Sequence, residues 1–230
     1  MLAAIALLSL AQPKSLHAQA RSAFAAGLGS ANDGSTFMTL NGSGVLNTTD
    51  RGWYSDAGIR NSNANYFTGV NDAAAERRGF FLFDLSTYQT PIVSARISLF
   101  NCATGAGLPC NGLGNGFSSP NSSETVDLFD FFGSRTALVG GTGGLGAFTD
   151  LGSGAVFGTR SISAADNGTT VTFNLNSAGI ASLNGARGNT FAVGSAMRLG
   201  TTSVVPEPGT SVLVGIDLVF VGALVRRRHV

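Results

Sequence analysis

Phe80-Phe81-Leu82-Phe83-Asp84-Leu85, followed after a short gap by Ile92-Val93-Ser94-Ala95-Arg96-Ile97-Ser98-Leu99-Phe100, decides the fold class. The first run is almost continuously apolar, the pattern of a strand covered on both faces. The second alternates with a period of two: Val93, Ala95, Ile97 and Leu99 point one way, Ser94, Arg96 and Ser98 the other. Residues 170–175 repeat the alternation, with Val171, Phe173 and Leu175 inward against Thr170, Thr172 and Asn174. Working outward, 36–40 and 65–68 read as edge strands, 125–132 and 155–162 as further strands, and 190–194 and 197–205 as closing strands. Turn signals stand at Asp33-Gly34, Asn41-Gly42 and Asn167-Gly168. A single short helix is predicted over 177–183, capped by Asn176, ended by Asn184-Gly185, and buried through Ile180 and Leu183. Together these predict an all-β chain, a jelly-roll-type β-sandwich with one short helix.

Composition agrees with that reading and excludes several function classes. The 230 residues are 43% hydrophobic and only 12% charged, with 32 Gly and 16 Phe, so a solvated disordered chain is excluded. Lys14 is the only Lys. Between Arg21 and Pro208 there are ten Arg against twelve Asp and Glu, so no basic patch exists to follow a phosphate backbone, and no nucleic-acid partner is expected. The two His, His17 and His229, both fall in the terminal segments. A domain lacking His has neither a Ser-His-Asp nor a Cys-His centre and lacks the commonest zinc ligand. Cys102 and Cys110 are the only cysteines and bracket a Gly-rich loop; in an oxidising compartment so close a pair is expected to form a structural disulfide.

The ends carry an address. An apolar run from Leu2 to Ala11 is too short to span a bilayer but has the size of a signal-peptide core, and Ala18-Gln19-Ala20 fits the small-x-small cleavage rule. Cleavage after Ala20 is expected. The opposite end reads Val205-Pro206-Glu207-Pro208-Gly209-Thr210, then an apolar stretch over 211–225, then Arg226-Arg227-Arg228. Two Pro around Glu207 hold the backbone extended and remove two amide donors, which suits presentation to a protease. Fifteen helical residues span about 22 Å, less than the ~30 Å hydrocarbon core. Asp217 costs roughly 2.5–3.5 kcal/mol on insertion, and the ten Val, Leu, Ile and Phe of the stretch offset it by about 3–6 kcal/mol. The arginines are expected to stay cytoplasmic, which puts the preceding domain outside.

This tripartite tail resembles the PEP-CTERM sorting signal: a Pro-Glu-Pro motif, a short transmembrane helix and an Arg-rich end. The resemblance implies recognition by exosortase, a membrane-embedded cysteine transpeptidase, after signal peptidase has acted at the other end. It implies a Gram-negative cell-surface or extracellular protein, transiently anchored in the membrane and linked to exopolysaccharide and biofilm formation. The implied organisation is a signal peptide over 1–20, a β-sandwich domain over 21–204 and the sorting signal over 205–230. The runs Phe81–Ser86 and Ile92–Phe100, with Val171-Thr172-Phe173-Asn174-Leu175 and Phe191-Ala192-Val193-Gly194, are similar to DNRLRE-type domains, bacterial surface β-sandwiches akin to carbohydrate-binding modules.

Few residues point to chemistry. Gly141-Thr142-Gly143-Gly144-Leu145-Gly146 satisfies the dinucleotide pattern literally, but Ala147-Phe148-Thr149-Asp150-Leu151-Gly152 after it does not read as a helix, and a loop is expected. Asp127 and Asp130 lie close together among phenylalanines, and a carboxylate hydrolase would need two such acids facing one sugar bond. No cofactor is expected. A structural calcium ion needs only clustered oxygens; Asp33, Asp56, Asp72 and Asp84 are candidates, with no ligand set assigned. Trp53 and Tyr54 stand among Asp50, Arg51, Asp56 and Arg60; such rings either stack on sugars of an extracellular polysaccharide or anchor an edge loop to the core. The expected function is a non-catalytic exported surface protein, with a carbohydrate-binding module and a carboxylate-dependent surface hydrolase as the rivals.

Overall fold

A computed structural model describes residues 21–26, 34–61, 65–70, 75–103, 110 and 116–199. The chain divides into two units, Met1–Arg198 and Leu199–Val230, and the strands and helices among the described residues fall in the first. Its strands are β1 (Arg21–Ala26), β2 (Thr36–Leu40), β3 (Gly44–Ser55), β4 (Tyr66–Val70), β5 (Glu76–Asp84), β6 (Ala95–Asn101), β7 (Ser123–Asp130), β8 (Val156–Ser163), β9 (Thr169–Asn174) and β10 (Thr190–Met197). Three α-helices accompany them: α1 (Arg135–Gly140), α2 (Gly144–Asp150) and α3 (Ser177–Gly185).

The fold is all-β in plan and every pairing is antiparallel. The main path runs β8-β7-β10-β5-β3-β2-β6-β9, with β4 joined to β5 and β1 to β4. One long strand carries the sheet around its corner. The first part of β3, Gly44 to Asn47, pairs with β2, and the remainder, from Thr48 to Ser55, pairs with β5 across an irregularity between Thr48 and Asp50. Such an irregularity bends a strand and increases its twist. The two ends of the path then meet without forming a ladder. Asn176 N donates to Phe157 O at 2.8 Å, and Arg160 Nη1 donates to Thr172 O at 3.1 Å. The sheet is therefore nearly closed, which leaves little unpaired edge.

The β5 run is buried on both faces. Phe81 and Phe83 join Met38, Leu40, Ile97, Leu99, Phe173, Phe191 and Val193 in the main core. Phe80 and Leu82 point the other way and are covered, with Tyr54 and Ala192, by Leu138, Ala147, Phe148 and Leu151 of the α1–α2 segment. Each large apolar side chain buried in this way contributes about 1.5–3 kcal/mol.

The structure corrects several expectations. The sequence predicts one helix, and two more lie between β7 and β8. Their sequence, rich in Gly, has weak helix propensity, so their packing on the outer face of β5 and β3 sustains them. Local capping helps: the Ser134 side chain accepts from Ala137 N at 3.2 Å. Residues 36–40 form an interior strand, not an edge, because β2 sits between β3 and β6. Val93 is 79% exposed, since β6 begins only at Ala95. Among the described residues the closing strand runs from Thr190 to Met197; 200–205, where a second is expected, lie outside them. The helix α3 forms where the sequence places it, with Asn176 Oδ1 accepting from Gly179 N at 3.0 Å and Leu183 buried. The Asn41-Gly42 turn also forms, with φ of 50° and 81°, the left-handed pair that a tight hairpin demands. Asn41 Oδ1 accepts from Val93 N at 2.9 Å and its Nδ2 donates to Pro91 O at 3.0 Å, so the turn is stapled to the segment before β6.

Candidate functional site

Trp53 and Tyr54 are consecutive residues of β3 and so point to opposite faces. Tyr54 is fully buried under the α1–α2 segment, where its Oη donates to Leu138 O at 2.8 Å. Burial pushes its phenol pKa up. Tyr54 therefore packs the fold, and of the two readings of this aromatic pair its burial fits anchoring to the core. Trp53 is half-buried. The Arg77 guanidinium lies 4.3 Å from its ring centroid and 5.1 Å from that of Phe67, so a cation covers one face of the indole.

Asp127 and Asp130 are three residues apart in β7, and an odd spacing in a strand sends side chains to opposite faces. They do not flank a common space. Asp130 is buried and its Oδ1 accepts from Ala155 N at 2.9 Å. Desolvation pushes its carboxyl pKa up, the Ala155 hydrogen bond opposes this, and the nearby Asp150 charge adds to the rise. Asp150 in turn uses Oδ2 to accept from Phe132 N at 3.0 Å and Gly133 N at 2.8 Å, holding the turn that leads into α1. These are contacts of turn architecture.

The end of β10 carries a polar clamp. Arg198 N donates to Thr125 O at 2.7 Å. The Arg198 guanidinium grips Asp127 with two nitrogens, and Asp127 also accepts from the Thr159 hydroxyl. Three strands, β10, β7 and β8, are thus fastened at the residue where the first unit stops. The register Ser195↔Gly79 and Trp53↔Gly79 places Trp53 and Arg77 toward this same end. The clamp is not visible in the sequence. Asp127 and Arg198 are separated by 71 positions, and no spacing rule links them.

Cys102 and Cys110 are joined in a disulfide and both are buried. The Gly141–Gly146 stretch is not simply a loop, because α2 starts at Gly144. The element before it is α1, where a dinucleotide site requires a strand, so the pattern still lacks its context. Of the calcium candidates, Asp33 and Asp72 lie outside the described residues. Asp56 Oδ2 accepts from Glu76 N, and Asp84 Oδ1 accepts from Ser86 N. Among the described residues, no three His, Cys, Asp or Glu converge as metal ligands. Residues 1–20, where a signal peptide is expected, and the expected sorting residues Val205, Pro206, Glu207, Pro208, Gly209, Thr210, Arg226, Arg227 and Arg228 also lie outside the described residues. No helix among the described residues is long and apolar enough to cross a membrane. No protein-family model, no curated protein and no solved structure matches this chain.

Proposed function

We propose that the chain is a non-catalytic exported protein, delivered by an N-terminal signal peptide and sorted and cleaved through a PEP-CTERM tail. The observation that carries this reading is the succession of three parts in the tail sequence: Pro206-Glu207-Pro208, the apolar stretch over 211–225, and Arg226-Arg227-Arg228. The folded part is a jelly-roll-type β-sandwich that works at the cell surface or in the extracellular matrix, in company with exopolysaccharide. The disulfide supports an oxidising destination, since such bonds persist outside the cytoplasm. Signal peptidase and exosortase are its partners during export, and the membrane holds it through the tail only until processing.

Mass spectrometry of the terminal peptides tests the proposal, in cells with and without exosortase. The expected result is loss of the tail beyond the Pro-Glu-Pro motif in normal cells and its retention without the enzyme. A tail intact through Val230 in normal cells overturns the reading.

A further inference from the structure

Strands β7 and β8 pair as far as Phe129↔Val156. Beyond that rung Asp130 N donates to Ala155 O at 3.1 Å, and Ala155 N donates to Asp130 Oδ1 at 2.9 Å. The hairpin is therefore closed at Asp130 and Ala155, and residues 131–154, which carry α1 and α2, form an excursion outside it. The excursion adds no strand to the sheet. Its buried Leu138, Phe148 and Leu151 pack over Tyr54, Phe80 and Ala192 on the outer face, in a cluster that shares no residue with the main core.

Among the described residues, two side chains of the sheet hydrogen-bond to this excursion. Tyr54 Oη donates to Ala137 O and Leu138 O, at 3.2 and 2.8 Å, and Arg78 Nη1 donates to Phe148 O and Thr149 O, at 3.1 and 3.2 Å. Each reaches the last turn of a helix, α1 for Tyr54 and α2 for Arg78, where carbonyls have no partner along the helix itself. The Arg78 guanidinium also lies 4.2 Å from the Phe148 ring centroid and pairs with Glu76. The two helices have six and seven residues, too few to persist without such support. Eight Gly among residues 131–154 increase the conformational freedom regained on release.

We propose that residues 131–154 form a cover that lifts off the sheet as one unit while the main core stays folded, with Arg78 and Tyr54 as its latches. Lifting breaks the latch bonds and bares Tyr54, Phe80 and Ala192. It breaks no rung of any ladder, because the hairpin remains closed at Asp130 and Ala155. Segments with few ties to the rest of a fold open in this way, at less cost than global unfolding. The outer face of β3, β5 and β10 thus has two states, one sealed and one open to solvent.

Two neighbours in β10 test the proposal, since Ala192 lies under the cover, Val193 lies in the main core, and both are buried. Ala192→Cys and Val193→Cys each place one free thiol in the full chain, because Cys102 and Cys110 are joined. Under native conditions maleimide is expected to label the thiol at 192 at least tenfold faster than the thiol at 193. Adding Arg78→Ala should speed labelling at 192 at least threefold, and an unchanged rate would strip Arg78 of its role as a latch. Adding Ile97→Val, which weakens the main core, should speed labelling at 193 severalfold and leave 192 within twofold. Amide exchange in the parent chain makes the same comparison without a new side chain, and it decides alone where Ala192→Cys does not fold. In urea too dilute to unfold the sheet, α1 and α2 should exchange at least tenfold faster than β5. Equal labelling at the two positions, or exchange in α1 and α2 no faster than in β5, overturns the inference, because the helices then leave the sheet only when the whole domain unfolds.

Discussion

The Arg198 guanidinium holds both carboxylate oxygens of Asp127, with Nε 3.0 Å from Oδ2 and Nη2 2.9 Å from Oδ1. The two partners differ sharply in exposure: the side chain of Arg198 is 60% exposed and that of Asp127 only 7%. Solvent screens the charge attraction, so the pair is worth little as an ion pair. Its removal instead leaves a buried carboxylate short of donors. Arg198→Ala is expected to destabilise the domain by about 1 kcal/mol in urea unfolding. Arg198→Lys should recover only part, because an ammonium lacks the planar fork. An unchanged urea midpoint for Arg198→Ala would remove the clamp from the account.

Gly194 faces the segment that comes after α2. A Cβ at this position would lie 2.7 Å from Leu151 Cα and 2.8 Å from Leu151 C, and the obstructing atoms are backbone. Gly194→Ala must push the helical segment off β10 or distort the strand. Overpacking of this kind costs typically about 1–3 kcal/mol. The expected signature is a lowered melting temperature together with faster amide exchange in α1 and α2, because that segment is the part displaced.

Tyr54 links the helical segment to the sheet through one hydroxyl and one ring. Tyr54→Phe should cost about 1 kcal/mol by removing the shorter of the two hydrogen bonds to the Leu138 carbonyl, the other coming from Gly141 N, and Tyr54→Ala about 3–5 kcal/mol by opening a cavity. Burial raises the phenol pKa above its ordinary value, so the neutral form is favoured in the fold. That contribution is complete below pH ~10 and is lost as pH rises through the elevated folded value. Alkaline unfolding of the wild type should steepen above pH ~10, and Tyr54→Phe should remove that component.

Asp130 predicts the opposite end of the pH scale. Its folded pKa is raised from 3.8, chiefly by burial. The contribution to stability is therefore fully present below the ordinary carboxyl value and lost as pH rises through the elevated one. Asp130→Asn keeps an acceptor for Ala155 N–H and removes the buried charge. It should be as stable as wild type or more so at neutral pH, with a flatter stability profile across the acidic range. A steeper profile for the variant would contradict the assignment.

The sequence reads clearly where one face meets core and the other meets water. In β6 Ala95, Ile97 and Leu99, and in β9 Val171 and Phe173, alternate with polar residues, and α3 announces itself with Asn176 and a buried Leu183. The reading fails where tertiary structure overrides the local pattern. β3 shows no alternation because its irregularity shifts the phase midway and because Arg51, fully buried, occupies a position where an apolar residue would be expected. α1 and α2 are hidden by their glycines, and only the outward-facing Phe80 and Leu82 of β5 signal that something must cover that side. Of the candidate site, the aromatic pair is visible, but its division between two faces requires knowing that 53 and 54 belong to a strand. The Arg198 clamp requires the sheet order itself.

The position of β10 has a mechanical consequence. The strand that leads to the tail is not at an edge: it lies between β5 and β7, with six register pairs to the first and five to the second. Tension applied to the tail runs along this strand and loads both ladders at once in shear, so that many hydrogen bonds must yield together. An edge strand would peel one pair at a time under the same pull. A pull on the chain beyond Met197 is thus met at the place in the sheet best suited to resist being unravelled.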